Sequence, residues 1–122
     1  MRALVADDSA AVALLTSRAL AAIGCEVTTV ADGIAAFHQG LSGAFDVALL
    51  DMIMPGMLGT EVLAGWAEAG LSLPTIVFSG VDDESLTLRC LELGALDFIH
   101  KPFDVRELQL RVRVHLAHTK VS

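Results

Sequence analysis

The sequence predicts a doubly wound α/β domain, on three observations. Short apolar runs alternate five times with segments of helical periodicity. Cap and stop residues stand at the boundaries between them. No linker, low-complexity stretch or repeat beyond the strand–helix unit interrupts the 122 residues. Alternation of this kind calls for a parallel sheet covered by helices on both faces. The length suits one domain, spanning residues 1–122.

The elements follow in order. Ala3–Ala6 is a first strand. Ser9 caps a helix whose apolar positions Val12, Leu15, Ala19 and Ile23 keep helical spacing until Gly24 stops it. Glu26–Val30 is a β-branched second strand, and Asp32 caps a helix carrying Ile34, Phe37 and Leu41. Asp46–Leu50 reads as a third strand, buried on both faces because its apolar run is continuous. A helix from about Leu58 to Ala69 presents Val62, Leu63 and Trp66 and ends at Gly70. Thr75–Phe78 is the fourth strand. Asp82 or Asp83 opens a helix through Leu86 and Cys90 that stops at Gly94, and Asp97–Ile99 is a short fifth strand. Asp104 and Glu107 have the spacing of a capping box. The helix they open buries Val105, Leu108, Val112 and Leu116.

Composition narrows the function. Hydrophobic residues make up 54% of the chain, enough for a packed core, so disorder is excluded. The apolar stretches break within roughly ten residues, short of the about 20 a membrane span needs. Met1 leads straight into a strand with no signal-peptide pattern, so the expected compartment is the cytoplasm. Cys25 and Cys90 lie in apolar contexts without CxxC spacing and read as buried reduced thiols. A net charge of −7 with eight Lys and Arg argues against direct nucleic-acid binding. An acidic chain can still bind a cation, and where the acids fall decides it.

In a doubly wound sheet, ligands bind beyond the carboxyl ends of the strands. The residues just past those ends are Asp7 and Asp8, then Asp51, then Ser79 and Gly80, then His100, Lys101 and Pro102. Three acids, a hydroxyl and an ammonium therefore converge on one edge. Clustered carboxylates raise one another's pKa, so a cation must offset them. Oxygen donors without His or Cys suit Mg²⁺, which tolerates a few carboxylates plus a phosphate. Lys101 supplies a point charge for a phosphoryl oxygen, Ser79 a hydroxyl, and Gly80 a closely approachable backbone N–H. Charge neutralisation and positioning of this kind are what phosphoryl transfer needs.

From Arg2 to about Leu116 the sequence resembles the receiver domains of two-component response regulators. The matching pieces are Val5-Ala-Asp7-Asp8, Leu49-Leu-Asp51-Met-Ile-Met-Pro55-Gly-Met-Leu-Gly59, Phe78-Ser79-Gly80, and Gly94-Ala-Leu-Asp97-Phe98-Ile-His-Lys101-Pro102-Phe103. The resemblance implies a five-stranded flavodoxin-like sheet in the order 2-1-3-4-5. It implies that Asp51 accepts a phosphoryl group from a phosphohistidine of a sensor histidine kinase or phosphotransfer protein. Asp8 would bind Mg²⁺ directly, Asp7 through water, Asp51 through its carboxylate and Ile53 through its backbone carbonyl. Lys101 would pair with the phosphoryl group, Ser79 would shift to hydrogen-bond it, and Phe98 would rotate inward as the switch aromatic. The Lys101–Pro102 bond is expected to be cis.

Gly80 stands where the family more often has Ala, which suggests a looser backbone. Ile53 and Val81 flank the pocket with apolar side chains where some relatives hold polar groups. We therefore expect slow self-hydrolysis of the acyl phosphate, because nothing polar orients a water. The decay rate of the phosphorylated form checks this beside an Ile53→Asn, Val81→Glu variant, and equal lifetimes would overturn it.

Other residues read more simply. Met52, Met54 and Met57 pack in the loop and helix rather than forming a groove. His38, His100, His115 and His118 lack ligand spacing. Arg106, Arg111 and Arg113 on the last helix could pair across a homodimer with Asp82, Asp83, Glu84 and Glu92 on the helix before. The predicted face is the fourth helix, fifth strand and fifth helix, the same surface that would shift on phosphorylation.

Three other functions compete with this one. A phosphatase with a DxDxT-like motif fails because the second acid is missing after Asp51. A dinucleotide module fails because Asp7-Asp8-Ser9 stands where a Gly-rich turn is needed. A receiver-like module that binds partners without phosphorylation is the remaining alternative. The domain would be a switch rather than an enzyme, either a stand-alone regulator or a piece of a longer one. No DNA-binding, cyclase or kinase motif within these residues says what it controls.

Overall fold

The computed structural model describes residues 1–80 and 82–121, with the side chains of residues 118–121 left out. Val81 and the His118 side chain, both singled out above, lie outside the described residues. The strands are β1 (Arg2–Ala6), β2 (Glu26–Val30), β3 (Val47–Asp51), β4 (Thr75–Ser79) and β5 (Asp97–His100). The helices are α1 (Ala10–Ala21), α2 (Gly33–Ser42), α3 (Gly59–Glu68), α4 (Glu84–Glu92) and α5 (Val105–Val121). All strand pairs are parallel, in the order β2-β1-β3-β4-β5, as expected.

Side chains alternate across a strand, so each central strand feeds two cores. Ala3, Val5, Val47, Leu49, Ile76 and Phe78 point to one face, where α1 and α5 cover them with Ala19, Leu20, Leu108, Val112 and Leu116. Leu4, Ala6, Ala48, Leu50 and Val77 point to the other, beneath Ala36, Val62, Leu63, Trp66 and Cys90 of α2, α3 and α4. Both cysteines are free and buried, and burial pushes the Cys90 thiol up to about 11. Met52 and Met54 are buried in the second core, in keeping with a packing role. Among the described residues no helix is long and apolar enough to cross a membrane.

The helix faces depart from the sequence reading at four places. In α1 the buried positions are Thr16, Ala19 and Leu20, while Leu15 is exposed. Ala19 is buried as expected and Ile23 packs against the same core, so Leu15 is the predicted position that fails and Thr16 and Leu20 take its place. Thr16 Oγ1 is buried with no hydrogen-bond partner among the described residues, a cost of about 1–3 kcal/mol. In α2, Gly33, Ala36 and Gly40 are buried, and the larger Ile34 and Leu41 are exposed. The reason is close approach: a Cβ on Gly40 would stand 2.4 Å from the Trp66 ring. Trp66 Nε1 also donates to the Phe37 carbonyl oxygen at 3.0 Å, so the indole fills the space and finds a partner.

The other two concern caps. Ser9 and Asp32 cap α1 and α2 as expected, accepting from the backbone N–H of Val12 and Ala35. Asp83 sits at the N-cap of α4 but makes no side-chain cap bond. Asp104 caps α5 as expected, accepting from the Arg106 N–H at 2.7 Å, but Glu107 turns to Arg111 at 3.3 Å instead of closing the capping box.

Candidate functional site

Four of the strands deliver residues to the same carboxyl end of the sheet. Asp7 follows β1, Asp51 closes β3, Ser79 closes β4, and Lys101 follows β5. Carboxylate oxygens of Asp7, Asp8 and Asp51 all lie within 4.8 Å of one another. Asp7 is buried, Asp51 partly buried and Asp8 exposed, so Asp8 is the acid most open to an incoming ion.

Lys101 bridges the cluster. Its Nζ is 2.7 Å from Asp7 Oδ2 and 3.3 Å from Asp51 Oδ2. The other Asp7 oxygen accepts from the Ser9 backbone N–H at 2.9 Å. The Lys101 backbone N–H donates to the Ser79 carbonyl oxygen at 2.7 Å, which ties the end of β5 to the end of β4. The Lys101–Pro102 peptide is cis, as expected.

The electrostatics follow from this packing. Burial raises the Asp51 carboxyl above the usual carboxylate range, and the neighbouring Asp7 charge adds to the rise. Lys101 and a backbone hydrogen bond from Ile53 act in the opposite direction without cancelling it. Burial disfavours the Lys101 ammonium, but the hydrogen bond to Asp7 and the charges of Asp51 and Asp7 outweigh it and hold its pKa above normal. The cluster is thus short of positive charge at Asp51 itself. An all-oxygen donor set with one partly desolvated carboxylate fits a hard divalent cation.

The remaining predicted residues lie nearby with partners the sequence did not reveal. Ser79 is buried, and its Oγ lies 2.9 Å from Thr87 Oγ1 of α4 and 3.3 Å from the Gly80 carbonyl oxygen. The Gly80 N–H does not stand free: it donates to Asp83 Oδ2 at 2.8 Å. Ile53 is exposed beside Asp51. Phe98 is half-buried and meets the His100 ring edge-on, 5.1 Å between centroids, in a hollow shared with Thr87, Leu88 and Leu91.

The family model for the response regulator receiver domain matches residues 3–113. The chain belongs to the response regulator receiver domain family. This receiver domain is 36% identical over 116 residues to the transcriptional regulatory protein TctD of Salmonella typhimurium, covering 95% of this chain and 52% of that protein. It is 37% identical over 120 residues to the response regulator MprA of Mycobacterium avium, covering 98% of this chain and 53% of that protein. The chain therefore spans about half the length of these curated relatives. Among solved structures it resembles the receiver domain of the Francisella response regulator 1452. The TM-score is 0.89 at 28% identity, with 97% and 98% of the two chains covered. A response regulator of Chloroflexus aurantiacus superposes with a TM-score of 0.88 at 30% identity, with 95% and 97% covered.

Sequence reading missed Asp83 and Thr87 of the receiver domain as site neighbours. Asp83 resembled a helix cap and Thr87 a helix-interior residue, and neither signal carries its tertiary partner. Part of the charge set named for a dimer is engaged within the chain. Arg111 is held within its own chain, with Nη1 at 2.9 and 2.8 Å from the two Asp97 oxygens and Nε at 3.3 Å from Glu107. Asp83 likewise points inward. Arg106 and Arg113, with Asp82, Glu84 and Glu92, are exposed.

Proposed function

We propose that this receiver domain is a phosphoacceptor switch in which Asp51 takes a phosphoryl group from a phosphohistidine of a sensor histidine kinase or phosphotransfer protein. The observation that carries the reading is Asp51 flanked by two further carboxylates and by the Lys101 ammonium at 3.3 Å. An Asp51 carboxylate oxygen attacks phosphorus, the P–N bond to imidazole breaks, its electron pair returns to the ring nitrogen, and an acyl phosphate results. Mg²⁺ bound by Asp7, Asp8, Asp51 and the Ile53 carbonyl would neutralise charge on the transferring group.

The protein's own groups supply the rest. Lys101 holds Asp51 in place and follows the phosphoryl oxygens. Ser79 and the Gly80 N–H supply donors, and Phe98 turns inward as Ser79 moves. The surface of α4, β5 and α5 then changes, and a homodimer through it relies on the smaller charge set. The reading carries a cytoplasmic location with it.

Incubation with acetyl phosphate and Mg²⁺ followed by intact mass measurement tests the reading. Wild type is expected to gain one phosphoryl mass, and Asp51→Asn none. No gain in wild type would favour a module that binds partners without phosphorylation. Light scattering on the same samples reads the dimer, and a monomer mass in both states would remove it.

A further inference from the structure

The two donors at the end of β4 that the phosphorylated state would use are both engaged by the start of α4. Thr87 Oγ1 lies 2.9 Å from the Asp83 carbonyl oxygen, an i−4 bond within the helix, and 2.9 Å from Ser79 Oγ. A hydroxyl carries one hydrogen. With that of Thr87 on the Asp83 carbonyl, the hydrogen between the two hydroxyls comes from Ser79. If Thr87 instead donates to Ser79, the Ser79 hydrogen goes to the Gly80 carbonyl oxygen at 3.3 Å, so in either arrangement Ser79 Oγ is engaged by Thr87 of α4. The Ser79 backbone is pinned by the bond from the Lys101 N–H, so the side chain must rotate to reach a phosphoryl oxygen.

One residue on, the Gly80 N–H donates to Asp83 Oδ2 at 2.8 Å, and the Asp83 N–H returns to the Gly80 carbonyl at 3.4 Å. A single N–H cannot serve the Asp83 carboxylate and a phosphoryl oxygen at full strength. The glycine is what permits this contact, because a Cβ at position 80 would stand 2.7 Å from Asp83 Oδ2. Gly80 and Asp83 are thus a matched pair.

We propose that Asp83 and Thr87 form a two-point latch that occupies the Gly80 N–H and the Ser79 hydroxyl in competition with the phosphoryl group. The inference rests on the phosphoacceptor reading of Asp51 and assigns its resting restraint to α4. Phosphorylation then has to break both bonds, which couples chemistry at Asp51 to the first turn of α4 through two named hydrogen bonds. Asp83 and Thr87 are positioning residues, since neither touches Asp51.

The test is binding of beryllofluoride with Mg²⁺, a phosphoryl mimic, measured by calorimetry on wild type, Asp83→Ala, Thr87→Val and the double variant. Acetyl phosphate labelling of each runs in parallel. Each single variant is expected to bind about three- to tenfold more tightly than wild type, the scale of one hydrogen bond released. Thr87→Ser, which keeps the hydroxyl, should restore the wild-type affinity. Gly80→Ala should reproduce Asp83→Ala and add nothing to it, because both remove the same bond. Hydrogen exchange gives a readout without phosphoryl: the Gly80 amide should exchange faster in Asp83→Ala and unchanged in Thr87→Val.

Equal or weaker binding in both single variants, with wild type labelled normally, would overturn the latch and leave the phosphoacceptor reading standing. Labelling of the variants but not of wild type would support the latch in its strongest form. No labelling of any form would remove the phosphoacceptor reading and the latch together.

Discussion

Lys101→Met is expected to destabilise the fold by about 3 kcal/mol at neutral pH without divalent cations, near the lower end for a broken buried ion pair. The Asp7 side chain is fully buried and Lys101 Nζ is its charge partner at 2.7 Å. Methionine keeps most of the aliphatic stem but leaves that carboxylate with only the Ser9 N–H. The lower end applies because the Lys101 side chain is itself 26% exposed. With a urea m-value of about 1–3 kcal/mol per molar, the midpoint should fall by roughly 1–3 M. Saturating Mg²⁺ should recover part of the loss by binding only the folded acid cluster. An unchanged midpoint would show that Asp7 does not depend on Lys101. The sign with pH follows from the raised Lys101 pKa. Its stabilisation is complete below the unfolded value near 10.5 and fades as pH climbs through the higher folded value. The gap between the two proteins should therefore close only in strong alkali on that side.

Asp51→Asn is expected to act in the opposite direction on stability while abolishing phosphoryl uptake. Burial and the Asp7 charge raise the Asp51 pKa, so its ionised form is disfavoured in the folded state. A raised carboxyl contributes most below its unfolded pKa, and that contribution is lost as pH rises through the folded value. Above that folded value the wild type carries the full penalty and the amide carries none. We expect a gain on the order of 1 kcal/mol, roughly 4 °C in the midpoint for a domain of this size. The gain should shrink as pH falls through the raised pKa and vanish once Asp51 is protonated in both states. Thermal melts of both proteins from acid to neutral pH check it, and a variant less stable than wild type at pH 7 would refute it. The two variants also separate the roles of the charges: one strands a buried carboxylate, the other removes the repelled one.

Much of this could be read from residue order. Strand–helix alternation with Ser9 and Asp32 as caps leaves a parallel sheet as the arrangement that hides five apolar runs. The polar residues just after those runs then have to share the carboxyl edge, and spacing alone picks out Asp7, Asp8, Asp51, Ser79 and Lys101. These are properties of spacing and alternation, and they survive small errors in the element ends.

The partner of each polar atom is another matter. Asp83 has the sequence of a cap, Asp104 and Glu107 have the spacing of a capping box, and Arg111 looks available for a neighbour. In the folded chain Asp83 takes the Gly80 N–H, Glu107 takes Arg111, and Arg111 also takes Asp97. Several acceptors lie within reach of each such group. The choice among them depends on differences of an ångström in how helices seat on the sheet, which periodicity does not encode. The same holds for α2, where Gly40 rather than Leu41 is buried because Trp66 stands against it. Periodicity places a residue at an edge or on a face; packing against the rest of the chain selects what it touches.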